Sequence, residues 1–158
     1  GNEVSAWLHL DPRCITPIGY GIVENAELKR MLARWVSSPS DHLAIEMIAS
    51  YGMPVGREVF DTCLWIGRLV EAWGRPFTLV YRRDVKMFLC GNNTAKDANI
   101  RQSLIDRFGP GKAAAIGTKK RPGPLYGVTA DVWSALAIAV TWQDKWGEGV
   151  AATAVEAR

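Results

Sequence analysis

Apolar and polar residues alternate from residue 3 to residue 10, with Val4, Ala6, Leu8 and Leu10 on one face, and this period of two predicts a strand. Asp11-Pro12-Arg13 carries turn chemistry, so residues 15–23 read as the returning strand of a hairpin, with Pro17 favouring an edge or a bulge. The period then lengthens. Leu28, Leu32 and Trp35 share a face from Ala26 to about Val36, predicting a helix with Asn25 as its N-cap. After a loop at 37–41, His42 to Ala49 is an apolar run of strand length, and it reads as a buried strand. Residues 51–56 are too glycine-rich for helix. Over Arg57–Trp73, Val59, Cys63, Ile66, Val70 and Trp73 recur at spacings of four and three, and Phe60, Leu64 and Trp65 widen the stripe, predicting a long helix. Pro76 introduces a short strand, 77–81, followed by a short helix, 82–89. Thr94 to Asp97 has the look of a capping box, with Asp in place of the usual Glu or Gln, and would open a helix to Phe108. Residues 109–127, rich in Gly, Pro and Lys, read as a mobile basic loop. The last helix runs from about Asp131 to Trp146.

With the short 82–89 segment set aside, the order β-β-α-β-α-β-α-α predicts an α/β fold with one mixed sheet flanked by helices. A chain of 158 residues, 48% hydrophobic, suits one domain with a sizeable core, assigned to 1–146 with a tail at 147–158. No stretch approaches about 20 continuous apolar residues, so no membrane span is expected. No charged-then-apolar leader opens the sequence, so no secretion signal is expected either. Cys14, Cys63 and Cys90 are odd in number and too far apart for a CxxC pair, which predicts free thiols, those at 63 and 90 buried, in a reducing cytoplasm.

The formal net charge is +3, but its placement is uneven. Between Arg82 and Arg121 ten basic residues face three acids, a net of +7, whereas the remainder is net −4. A basic block on a nearly neutral chain points to a polyanionic partner, against the plainer reading of a solvated Lys/Arg-rich surface.

Two acids stand inside apolar runs. Glu46 is the only charge in its strand, and Asp131 opens the last helix. An unpaired buried carboxylate is costly, so each should be paired, protonated or metal-bound. Acids brought together from distant elements suggest a site for Mg²⁺, with Mn²⁺ as a substitute, because hard cations take oxygen ligands and paired ions about 4 Å apart cleave phosphodiesters. The plainer readings are an edge or arginine-paired acid for Glu46 and a macrodipole acid for Asp131. Other chemistries fall away. Gly109-Pro110-Gly111-Lys112 lacks Walker A spacing, so no nucleotide cofactor is expected. His9 and His42 are not at zinc spacing, and no Ser/His/Asp or Cys/His arrangement can be drawn. Trp65, Trp73, Trp133 and Trp142 read as core or interface.

Residues 45–56, Ile-Glu-Met-Ile-Ala-Ser-Tyr-Gly-Met-Pro-Val-Gly, resemble the second-acid strand and loop of RuvC-like Holliday junction resolvases, closest to the compact phage and prophage versions. Residues 60–68, 95–102 and 122–127 continue the resemblance, and the helix from Asp131 to Thr141 is similar to the family's C-terminal acidic helix. The resemblance covers most of residues 1–142. It implies an RNase H-like fold, a homodimer, and Mg²⁺-dependent nicking of four-way DNA junctions during recombination and repair in a bacterial host cell. Family members open with a strand ending in an Asp-Pro-Gly turn whose Asp is the first catalytic acid. Here residues 1–5 look like those just after it, so the first strand and first acid are expected to be missing. Ser134 stands where the last helix often carries a second acid.

Carried onto this sequence, the resemblance makes Glu46 and Asp131 the metal ligands and Ser134 a further catalytic position. A metal-activated water would attack the phosphorus in line. Lys119, Lys120 and Arg121 would contact phosphates, with Arg82, Arg83, Lys86, Lys96, Arg101 and Lys112 completing the DNA surface. Val59, Cys63, Ile66 and Val70 would form the dimer interface. Two alternatives remain open: a non-catalytic branched-DNA-binding module, and an RNase H-like nuclease acting on another nucleic-acid structure.

Overall fold

The computed structural model describes residues 3–11, 13–35, 38 and 41–147. Readings that fall on residues 1, 2, 12, 36, 37, 39, 40 and 148–158 lie outside the described residues.

The chain opens with an antiparallel hairpin of β1 (Val4–Asp11) and β2 (Thr16–Glu24). The register slips between His9 and Leu10, opposite Pro17 and Gly19, leaving Ile18 as the extra residue of a bulge beside the proline. Trp7 lies across Gly21, where a Cβ would come within 3.2 Å of its indole Nε1. Helix α1 (Asn25–Ala33) follows directly. Asn25 is not its N-cap but its first residue. It is buried, its N–H donates to the Glu3 carbonyl at 2.8 Å, and its Oδ1 accepts from Ser5 Oγ at 2.6 Å. The polar side chain is used to tie the helix start to β1.

Strand β3 (Leu43–Met47), helix α2 (Arg57–Trp73) and strand β4 (Phe77–Tyr81) form a parallel β-α-β unit. Gly74, in the left-handed conformation (φ 62°), donates to the Val70 carbonyl at 3.1 Å and ends α2. Helices α3 (Arg82–Cys90) and α4 (Asp97–Phe108) come next. The expected Thr94 capping box is absent. Thr94 is held instead by Asn92 Oδ1, and Asn99 Oδ1 accepts the Lys96 N–H at 2.9 Å to close the first turn of α4.

Residues 109–127 are not a mobile loop. They hold a short helix α5 (Lys112–Ala115) and a small hairpin, β5 (Gly117–Thr118) and β6 (Arg121–Pro122), with Lys119 and Lys120 at its turn. Leu125 is fully buried, and Tyr20 Oη bonds the Tyr126 carbonyl at 2.5 Å. A Cβ on Gly117 would meet the Arg121 carbonyl oxygen at 2.2 Å, so only glycine fits this close turn. Helix α6 (Val132–Trp142) ends in a wider π-type turn, 143–147. Its buried Val132, Leu136, Ala137 and Val140 pack with Val80, Val85, Leu104 and Ile105 to make the core. Cys63 and Cys90 are half-buried rather than buried, and all three thiols are free. Among the described residues no helix is long and apolar enough to cross a membrane.

The strands do not make one sheet. Among the described residues they form three two-stranded ladders, β1–β2, β3–β4 and β5–β6. The unpaired edges of β1 and β3 line a common cavity of about 890 Å³, walled by α1, α2 and α6. One strand residue fills about 3.3 Å by 4.8 Å by 10 Å between such layers, so the gap matches roughly five to six residues of a single strand. This open edge also corrects the buried-strand reading of His42 to Ala49, since every residue of β3 retains partial exposure.

Beside β3, Thr78 Oγ1 lies 2.8 Å from His42 Nε2 and 3.0 Å from Trp142 Nε1, and the two rings stack at 4.3 Å. The indole can only donate, so Thr78 accepts from Trp142, and the same hydroxyl hydrogen-bonds the His42 ring. Burial lowers the His42 pKa from its ordinary 6.5. Thr78→Val should cost about 1–3 kcal/mol by orphaning two ring nitrogens, measured by urea unfolding at neutral pH. With a depressed folded pKa, the His42 contribution is full above 6.5 and is lost as pH falls through the lowered value. His42→Gln should flatten that acid limb. An unchanged limb would remove His42 from the acid response.

Candidate functional site

Glu46 sits near the end of β3, opposite Val80 in register, and Arg82 leaves β4 two residues beyond Val80 to start α3. Strand pairing therefore places this arginine beside the strand acid. The Arg82 guanidinium reaches three other elements. Nη2 binds Asp97 Oδ1 at 2.5 Å at the start of α4, and Nη1 donates to Ser134 Oγ at 3.2 Å on α6. Nη1 also lies 3.8 Å from Glu46 Oε1. Burial pushes the Glu46 carboxyl above its ordinary 4.5. Arg82 opposes the shift, and the charges of Asp97 and Asp131 add to it.

Asp131 immediately precedes α6, but its side chain makes no capping bond and is solvent-exposed. Ala130 before it holds a positive φ of 45°, an unusual backbone state for a non-glycine residue. Asp131, Ser134 and Glu46 all line the gap between β1 and β3, so the structure gathers these three sequence candidates at one cavity. Asp97 is the member that sequence reading missed. Its local signal was absorbed by the helix-start reading, and its partnership with Arg82 spans 15 residues.

The basic candidates divide into groups. Arg82, Arg83 and Lys86 line a shallow depression of about 380 Å³ with Tyr51, Asn93 and Thr94, next to the acids. Arg82 is committed to the acid cluster, whereas Arg83 is exposed. Lys96 and Lys112 are exposed, and Arg101 lies 4.6 Å over the Trp133 ring. Lys119, Lys120 and Arg121 are exposed on the β5–β6 hairpin. The residues of the expected dimer stripe differ in exposure. Ile66 is buried in the chain's own interior and lines the gap, while Val59, Cys63 and Val70 are half-buried. The exposed large apolar side chains of α2 are Phe60 and Leu64, one turn apart.

Glu46, Asp131 and Ser134 offer two carboxylates and a hydroxyl, oxygen donors of the kind a hard cation takes, to a gap that Ser5, His9, Asp41, His42 and Thr62 also line. Among the described residues no group of three or more His, Cys, Asp or Glu is arranged to hold a metal. A cation here would be held through the carboxylates of Glu46 and Asp131 rather than in a closed protein cage.

The element order gives a mixed α/β fold in which small sheets are flanked by helices. No protein-family model and no curated protein matches the chain. Among solved structures it is similar to Thermus thermophilus RuvC, at 17% identity and a TM-score of 0.54, over 85% of this chain and 81% of that one.

Proposed function

We propose that this chain is a Mg²⁺-dependent endonuclease of the Holliday junction resolvase type, acting on branched DNA as a homodimer. The observation that carries this reading is the meeting of Glu46, Asp131 and Ser134 at one cavity, beside a basic depression, in a RuvC-like fold. Glu46 and Asp131 would hold the cation, and Mn²⁺ is expected to substitute for it. The ion, when bound, supplies charge for the phosphate and acidifies water. The Ser134 hydroxyl accepts from Arg82 and keeps its own proton to donate to a phosphate oxygen. Arg83 and Lys86 meet the backbone near the acids, and the hairpin residues Lys119, Lys120 and Arg121 meet it elsewhere. Phe60 and Leu64 offer a self-complementary patch on α2. A twofold through it would present two sites for paired nicks.

The test is cleavage of a labelled four-way junction with and without Mg²⁺, with an RNA/DNA hybrid and a single strand as competitors. Paired, metal-dependent nicks support the reading. Tight, salt-sensitive binding without nicks would replace it with the binding module, and preference for the hybrid with the other nuclease. Changing Lys119, Lys120 and Arg121 together to Ala should weaken binding across sequences and flatten the log K against log salt plot by about one unit for each phosphate no longer neutralised. An unaltered slope would place the DNA elsewhere.

A further inference from the structure

Arg82 occupies the position from which a positive charge reaches the acidic cluster. Its guanidinium spans side chains of β3, α4 and α6 at 3.8, 2.5 and 3.2 Å, and it is only 25% exposed. Arginine does not deprotonate in proteins, so this charge persists at every working pH. Its partners differ. Glu46 and Ser134 face the gap, whereas Asp97 is 79% exposed on the outer side. The guanidinium can therefore release Glu46 while keeping Asp97, and Arg82 already lines the depression with Arg83 and Lys86.

We propose that Arg82 is a resident counter-ion of the acidic site. It pairs with Glu46 when no metal is bound and yields it to a divalent cation, so it sets the affinity of the site for that cation. It is a positioning residue, and the proposal rests on the metal-dependent reading above. A cation drawn to Glu46 meets a like charge already within 4 Å of its ligand, so metal entry requires the guanidinium to move outward. Once moved, Arg82 adds a charge to the polyanion face. Metal entry and DNA binding then reinforce each other, and neither requires a change of fold.

The test is Mn²⁺ binding to the DNA-free protein, followed by electron paramagnetic resonance, with no activity readout. Arg82→Gln removes the competing charge and should tighten Mn²⁺ binding by about tenfold. Arg82→Lys keeps the charge without the fork that bridges the partners and should fall between wild type and Arg82→Gln, which decides the matter alone should the glutamine variant not fold. Binding by Arg82→Gln where wild type shows none also supports the counter-ion. Equal or weaker Mn²⁺ binding by the variants, with wild type binding, overturns it and leaves the metal site standing. No binding by any of the three overturns the metal site and the counter-ion together.

Discussion

Glu46→Gln should abolish metal-dependent junction cleavage, by roughly a thousandfold or more, equivalent to about 4 kcal/mol of transition-state stabilisation. Junction binding should stay close to wild type, because phosphate contacts come from the basic residues and not from this acid. The fold should also survive. The Glu46 carboxyl is pushed above 4.5 by burial, so its ionised form is disfavoured in the folded state. The sign follows from linkage. A raised folded pKa gives stability that is full below the unfolded value and is lost as pH rises through the folded one, so at neutral pH this carboxylate is a net cost. The amide removes the charge and keeps the shape, so the melting temperature of Glu46→Gln at neutral pH should equal or exceed that of wild type. The same shift predicts wild-type cleavage falling as pH drops towards the raised value. Wild-type cleavage by the variant would take Glu46 out of the chemistry. Lost cleavage with a much lower melting temperature would mean that the residue is structural.

Elements whose signals are local are the ones the sequence announces. Helix α2 and strand β4 match their expected bounds, since a regular apolar stripe, Gly74 and Pro76 mark their limits in a few residues. Where tertiary contacts decide, local reading fails. The segment 109–127 has the composition of a loop, yet Leu125 in the core and the backbone crowding at Gly117 hold it in place. The α2 stripe is apolar enough to suggest a partner subunit, but packing chooses Ile66, Leu69 and Trp73 for the interior and leaves Phe60 and Leu64 outside. Glu46, Asp131 and Ser134 are legible, two of them because a charge in an apolar run is conspicuous. Asp97 and the contacts of Arg82 are not. One is hidden by a capping signature and the other by the basic block around it, and only the packing of α3 on α4 brings them together. The Thr78, His42 and Trp142 contact, whose Thr78 and Trp142 stand 64 residues apart, leaves no trace in spacing.

A β-strand supplied to the gap between β1 and β3 should raise the melting temperature by on the order of 10 °C, at about 2–4 °C per kcal/mol for a domain of this size. Both flanking edges present backbone donors and acceptors in strand spacing, and an extended backbone is the shape that pairs with both at once. Helices α1, α2 and α6 cover the cavity, so the strand should be apolar on both faces, as strands of buried parallel sheets are. Each buried aliphatic side chain contributes about 1.5–3 kcal/mol, against about 1–2 kcal/mol per residue of backbone ordering. A six-residue Val/Ile/Leu strand tethered by a flexible linker therefore gains a few kcal/mol net, with ladder hydrogen bonds adding to it. Proline at alternate positions removes the N–H donors with little loss of apolar surface, which makes it the control. Stabilisation by the strand but not by the proline form identifies ladder pairing, and amide exchange should slow along Val4–Leu10 and Leu43–Met47. Equal stabilisation by both would mean that the cavity takes apolar matter without regard to backbone. The sheet would then be complete as two separate ladders. Pairing also bears on the site, because Glu46 lies on β3 and lines the same gap as Asp131 and Ser134. A strand that fixes β3 against β1, and against the α6 that packs on β1, fixes Glu46 relative to Asp131 and Ser134, and cation affinity should rise with the melting temperature.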